Sequence, residues 1–144
     1  MRKVLIFFCA IFLISFTVVF AETLTNENAV INFTTKVMIK VAADNLDAAL
    51  QIIKPHSSFT SEELDNIAVQ TKLSKEQSRK RYGAPTGYEF IDLKKSGSNL
   101  LRLRYIEKTE KQVFLWTFYF YKIKKNWILN AFYWDGDYKP LFNE

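Results

Sequence analysis

Hydrophobic positions recur every three or four residues over the first half of the chain and every second residue over the second half, with the change at Gly83. Val30, Phe33, Val37, Met38 and Val41 fall on one stripe of a helix expected over residues 26–42. "ADNLDAALQIIKP" (43–55) predicts a second helix. Leu46, Ala49, Leu50 and Ile53 form its buried face, Asp44 is its expected N-cap and Pro55 its stop. "TSEE" (60–63) has the form of a capping box and opens a helix carrying Leu64, Ile67 and Ala68. "SKEQ" (74–77) repeats the form, so this helix either breaks near Ser74 or carries Ser74 exposed. Gly83 suits the residue just past a helix end, and Pro85 prevents continuation.

Four segments rich in β-branched and aromatic residues follow, over 88–94, 99–108, 111–122 and 127–134. The links "KSGS", "TE" and "IKKN" are too short for a parallel crossover, so neighbouring strands must run antiparallel. The plan is α+β, with two or three N-terminal helices packed on a curved four-stranded antiparallel meander. Within "QVFLWTFYFYK" (112–122), Phe114, Trp116, Phe118 and Phe120 form a wholly apolar face, expected to meet the helices. Val113, Leu115, Thr117, Tyr119 and Tyr121 form the other face, expected to be partly wet. Unbroken alternation in the last strand puts Ile128, Asn130, Phe132 and Trp134 on the core side. Trp127, Leu129, Ala131, Tyr133 and Asp135 then lie opposite, and Asn130 would sit among aromatic rings.

The start of the chain does not fit this domain. Met1-Arg2-Lys3 is a basic head, residues 4–20 carry no charge, and Ala21 precedes a polar stretch. This reads as a signal peptide over 1–21 ahead of a single domain over 22–144. The competing reading is an uncleaved anchor, since the apolar run reaches the lower limit for spanning a bilayer. Cys9, the one cysteine, lies in that run behind Phe7-Phe8, which excludes lipid attachment and leaves a cysteine-free mature chain. Such a chain, exported to the periplasm or secreted, must hold together by burial alone. Arg2 and Lys3 belong to the leader, so the rest carries a net charge of only +3. That is too mild for a nucleic-acid binder. "KEQSRKR" (75–81) and "KIKKN" (122–126) read as a solvated helix end and a hairpin turn.

Helices followed by a meander resemble the cone-shaped fold of the nuclear transport factor 2-like superfamily. "RYGAPTGYEFIDL" (81–93), "LLRLRYIEK" (100–108), "FLWTFYFYK" (114–122) and "NWILNAFYWD" (126–135) look like small exported bacterial proteins of unknown function with that fold. The resemblance spans about residues 44 to 137. It implies a cavity between sheet and helices but names no activity, because the fold hosts enzymes and binding proteins alike.

Little in the chain points to catalysis. His56, the one histidine, stands in a loop after a helix end with no second histidine or cysteine to share a metal. "DGD" (135–137) lacks the spacing of a calcium loop. No nucleophile elbow, phosphate loop or dinucleotide fingerprint is present, and nothing calls for a cofactor. Asp92, Asp135 and Glu89 are the candidate carboxylates. Arg102 and Arg104 share one strand face with Leu100 and Ile106. They read as an exposed surface or, functionally, as a pair reading an anion or carboxylate at a pocket mouth. Tyr119 and Tyr121 would stack on a ligand there. Trp116, Tyr119, Tyr121, Arg102, Arg104 and Asn130 are therefore the candidate ligand-binding residues. The expectation is an exported non-catalytic binding or interaction domain. It would hold a small apolar ligand or a protein partner, or form a homodimer through its sheet, and touch a membrane only through an uncleaved leader. Aromatics at 16% of the chain favour an interface. The alternative is a small hydrolase or isomerase with a carboxylate in the cone.

Overall fold

A computed structural model describes residues 23–143; the leader expected over 1–21, with Cys9, lies outside the described residues. Helix α1 (Glu27–Ala42) starts where the Asn26 side chain accepts from the Ala29 amide at 2.9 Å. All five stripe residues are buried, and Thr34 is buried with them. A mid-helix threonine is tolerated here because its hydroxyl is fully used. It donates back to the Val30 and Ile31 carbonyls and meets the Tyr105 hydroxyl at 2.7 Å.

Helix α2 (Leu46–Ile53) is capped by Asn45, not by Asp44. Asp44 lies in the left-handed region at φ 57°, closing the turn after α1, so the next residue takes the capping position and accepts from the Ala48 amide at 3.1 Å. Helix α3 (Ser61–Tyr82) opens with the expected capping box. The Thr60 amide donates to Glu63 at 2.7 Å and the Glu63 amide to Thr60 Oγ1 at 3.2 Å. It runs unbroken with Ser74 exposed, and ends at Gly83. There φ is 86°, and a Cβ would fall 2.5 Å from the Glu110 side chain.

The four strands are β1 (Pro85–Ser96), β2 (Leu100–Thr109), β3 (Val113–Ile123) and β4 (Asn126–Asp135), joined in the order β1-β2-β3-β4. The fold is the expected α+β plan with three helices. Phe114, Trp116, Phe118 and Phe120 face the helices and are buried; the Phe33 and Phe120 rings meet edge to face at 6.0 Å.

The ladders hold three one-residue bulges, one at Thr86 near the start of β1 and two in mid-strand that correct the simple alternation. In β4, Phe120 pairs with Leu129 but Tyr119 pairs with Ala131, so Asn130 is the extra residue. The bulge flips the side-chain parity. Trp127 and Leu129 lie on the core side before it, Phe132 and Trp134 after it. Asn130 is exposed at the sheet edge, where it donates to Ser58 Oγ at 3.2 Å. In β1, Phe90 pairs with Tyr105 and Asp92 with Arg104, which makes Ile91 the extra residue. Asp92 thereby reaches the outer face while Phe90 and Leu93 both stay on the helix side.

The bulge reverses the expected cost of two neighbouring truncations. Leu129→Ala should lose about 2–5 kcal/mol and Ile128→Ala about 1 kcal/mol or less, read as urea midpoints at unchanged slope. Tyr105 gives a pH-dependent counterpart. Burial lifts its phenol pKa above the usual value, partly offset by the bonds to Thr34 and Thr35. The folded state therefore holds this proton more tightly than the unfolded chain does. Its stabilisation is complete below about pH 10 and is lost as pH rises through the folded value. Tyr105→Phe should cost about 1 kcal/mol at neutral pH, and the gap to the parent should close in unfolding curves above about pH 10.

Candidate functional site

The helix side of the sheet holds a polar centre inside an aromatic setting. Leu101, Leu103, Tyr105 and Glu107 alternate along β2 and all four are buried, Glu107 completely. Trp116 Nε1 donates to Glu107 Oε2 at 2.8 Å, and Lys75 Nζ, from α3, donates to Oε1. The same ammonium lies 5.1 Å from the Trp134 ring centre and 5.7 Å from that of Phe114. Lys75 arrives there because α3 keeps one face inward through Leu64, Ala68, Thr71, Lys75, Ser78 and Tyr82. The second half of that face is mostly polar. Beside Lys75 a groove of about 290 Å³ opens between the start of α2 and α3. The ion pairs Lys72–Asp47 and Arg79–Asp44, each 2.5 Å, line it.

Chemically, Glu107 is a carboxylate with both oxygens committed. A general base needs a lone pair within reach of the substrate proton. Here one oxygen is closed by an indole and the other by an ammonium. The arrangement fastens a hydrophilic helix to the sheet at one point.

The outer face is different. Arg104 is buried, with Nε 2.9 and 3.1 Å from the two Asp92 oxygens and Nη2 also on Asp92. The chain beyond β4 returns over this face, and Arg104 Nη1 lies 3.5 Å from the Pro140 carbonyl, in the short helical turn Lys139–Leu141. Arg102 Nη2 lies 3.6 Å from the same Asp92. Leu115 and Thr117 are buried, so this face is drier than its pattern implies. Tyr119 opposes Arg102 across the strands, and its hydroxyl meets that of Tyr133 at 3.2 Å. That bond, then burial, raises the Tyr133 pKa. A groove of about 250 Å³ lies here, lined by Lys94, Lys95, Ser96, Leu100, Leu101, Arg102 and Tyr119. Next to it, Leu100, Tyr121 and Ile128 oppose one another across three strands; Leu100 is 50% exposed and Tyr121 44%.

The six candidates therefore divide. Arg102, Arg104, Tyr119 and Tyr121 share the outer face; Trp116 faces the helices and Asn130 sits at the β4 edge. Asp135 accepts from the Asp137 amide within its own turn at 2.6 Å, and Glu89 is exposed with Lys108 4.0 Å away. The His56 ring packs edge-on against Phe33 at 5.0 Å. Among the described residues, no cluster of His, Cys, Asp or Glu could hold a metal, and no helix is long and apolar enough to cross a membrane. Sequence reasoning missed Glu107 and Lys75. Their signal was position, since each continues a buried periodicity with a charged residue. Comparison with protein-family models, curated proteins and solved structures finds no match.

The buried pair has a measurable signature. Glu107→Ala should cost about 3–5 kcal/mol, because it strands the Lys75 charge, and pairing Glu107→Gln with Lys75→Met should recover most of that loss. Urea unfolding of the parent and the two variants checks it; a double variant as unstable as Glu107→Ala would remove the coupling.

Proposed function

We propose that this chain is an exported, non-catalytic binding or interaction domain that works through the outer face of its sheet. The observation that carries this reading is the contrast between the two faces. The interior between helices and sheet is occupied by Tyr105, Trp116, Phe118 and Phe120, none more than 1% exposed. Its carboxylate is closed on both oxygens. The outer face instead offers a groove beside a row of exposed Leu100 and Tyr121 and half-buried Ile128. Large apolar side chains in a row on a sheet surface mark a contact site more often than isolated ones do. The leader-like start supports export, and the order of helices then meander agrees with the nuclear transport factor 2-like resemblance.

A second reading has its own support. Glu107 is a carboxylate on the helix side of the sheet, and Lys75, its partner, borders an open groove. A small hydrolase or isomerase would use Glu107 as base after Lys75 swings away.

Native mass spectrometry of the protein purified from the exported fraction of its producing cells tests the first reading. The expected result is a doubled mass, or a mass excess lost on denaturation, that disappears when Leu100 and Tyr121 are both changed to Ser. A bare monomer, or a mass indifferent to those changes, overturns it.

A further inference from the structure

We infer that the hairpin end of the sheet is a docking surface for a lipid bilayer that contains anionic headgroups. This goes beyond the reading of the outer face and does not rest on it. An uncleaved leader is the one membrane contact that the sequence leads one to expect; the folded domain adds a second. Leu100 pairs with Tyr121 and Tyr121 with Ile128, so the β1–β2 and β3–β4 turns close the same end of the sheet. The Lys122 amide donates to the Asn99 carbonyl at 2.9 Å and ties the two turns together. The chain enters there as well, where the Trp127 amide donates to the Leu24 carbonyl at 2.7 Å. In sequence the uncharged run over 4–20 stops just short of Leu24, so it is attached to the domain at this end.

Charge and apolar exposure coincide at this end. The segments that form it, 23–28, 93–101 and 121–128, hold Lys94, Lys95, Lys122, Lys124 and Lys125 against one carboxylate, Glu27. The opposite end instead mixes Lys108 and Lys111 with Glu89, Glu110 and Asp135. Lys95 is bridged to Glu27 at 2.8 Å, and Lys122 lies over the Trp127 ring at 5.4 Å. A bilayer responds to the summed charge near its surface, so such neighbours lower the attraction without cancelling it. Lys124 and Lys125 form the β3–β4 turn and are exposed. Lys124 takes φ 55°, where asparagine or glycine would be less strained. Lysine in that place makes the turn doubly charged. Ile123, next to the turn, is 44% exposed, with Tyr121 at 44% and Leu100 at 50% behind it. An interfacial contact needs both kinds of group. Apolar side chains enter the headgroup layer, and lysines on long stems keep their charge among the phosphates. A soluble acidic polymer would use the lysines and leave Ile123 idle.

The test is vesicle sedimentation with the protein purified from the exported fraction of its producing cells. One set of vesicles is phosphatidylcholine alone; the other is phosphatidylcholine and phosphatidylglycerol in equal parts. The mixed vesicles should bind the protein more tightly by about tenfold or more. Changing Lys124→Asn and Lys125→Gln together should weaken that binding about thirtyfold. Both residues are exposed and asparagine tolerates the left-handed turn, so this variant keeps its fold. Ile123→Ser should weaken binding roughly tenfold. Lys111→Gln, which removes a charge at the opposite end, should change it less than about twofold. Equal binding to both kinds of vesicle, binding to neither, or a loss with Lys111→Gln as large as with the turn variant overturns the inference. Binding indifferent to Ile123→Ser reassigns this end to a soluble polyanion and overturns it too. Native mass spectrometry without lipid reads the outer face separately, so either proposal can fail alone.

Discussion

Four aromatic side chains at alternate positions of one strand set the terms for the whole molecule. Phe114, Trp116, Phe118 and Phe120 all project to one side of β3, and β3 is an inner strand. Rings at a two-residue spacing on a central strand form a slab that neighbouring elements must cover, because each buries on the order of 150–250 Å². Helix α1 answers with Phe33, Val37 and Met38. The flanking strands answer with Leu101, Leu103 and Tyr105 on one side and Leu129, Phe132 and Trp134 on the other. A slab this thick leaves little open volume between helices and sheet. The space between helices and sheet is here the hydrophobic core itself.

The same slab explains the buried charge pair. Helix α3 has few apolar residues, and among its buried positions are only Leu64 and Thr71. A helix so polar gains little from an aromatic surface by burial alone. Lys75 solves the problem by lying over Trp134 while its ammonium reaches Glu107. The carboxylate in turn satisfies the Trp116 indole N–H, which would otherwise be a buried unpaired donor. A buried ion pair adds little net stability compared with an apolar substitute. Its geometry, however, admits one rotation and one register of α3. The helix is then clamped at its ends by the capping box and by Gly83 against Glu110.

Much of this was legible because periodicity reports burial directly. The stripe of α1, the capping box at Thr60 and the apolar face of β3 were each carried by residues whose spacing fits one element only. The bulge at Asn130 was not legible, and the reason lies in "WILNAFYW". Both faces of that segment are largely apolar, so neither parity is penalised and the pattern cannot show where it switches. Asn130 itself was misplaced by the same continuity. Lys75 and Glu107 were hidden by the opposite habit. A charged residue is read as solvent-facing, although each occupies the next place in a buried series, after Leu64, Ala68 and Thr71 in one case and after Leu101, Leu103 and Tyr105 in the other.

The two mid-strand bulges show how one sheet can keep such different faces. Each edge strand carries one in mid-strand, beside the further one at Thr86 in β1, and each of the two moves polar groups outward without breaking the core side. In β4 the gain is that Trp127 and Leu129 join Phe132 and Trp134 under the helices. In β1 the gain is electrostatic. Were Ile91 paired in register, Asp92 would oppose Leu103 on the helix side, a carboxylate among apolar groups. With Ile91 bulged out, Asp92 opposes Arg104 and neutralises a buried guanidinium. Arg104 is consumed by the structure in this way, under the returning chain at Pro140. Arg102, two residues along the same face, reaches the same carboxylate only at 3.6 Å. Two arginines that look equivalent in sequence thus share Asp92 unequally, because the bulge on the neighbouring strand sets it opposite Arg104 and not opposite Arg102.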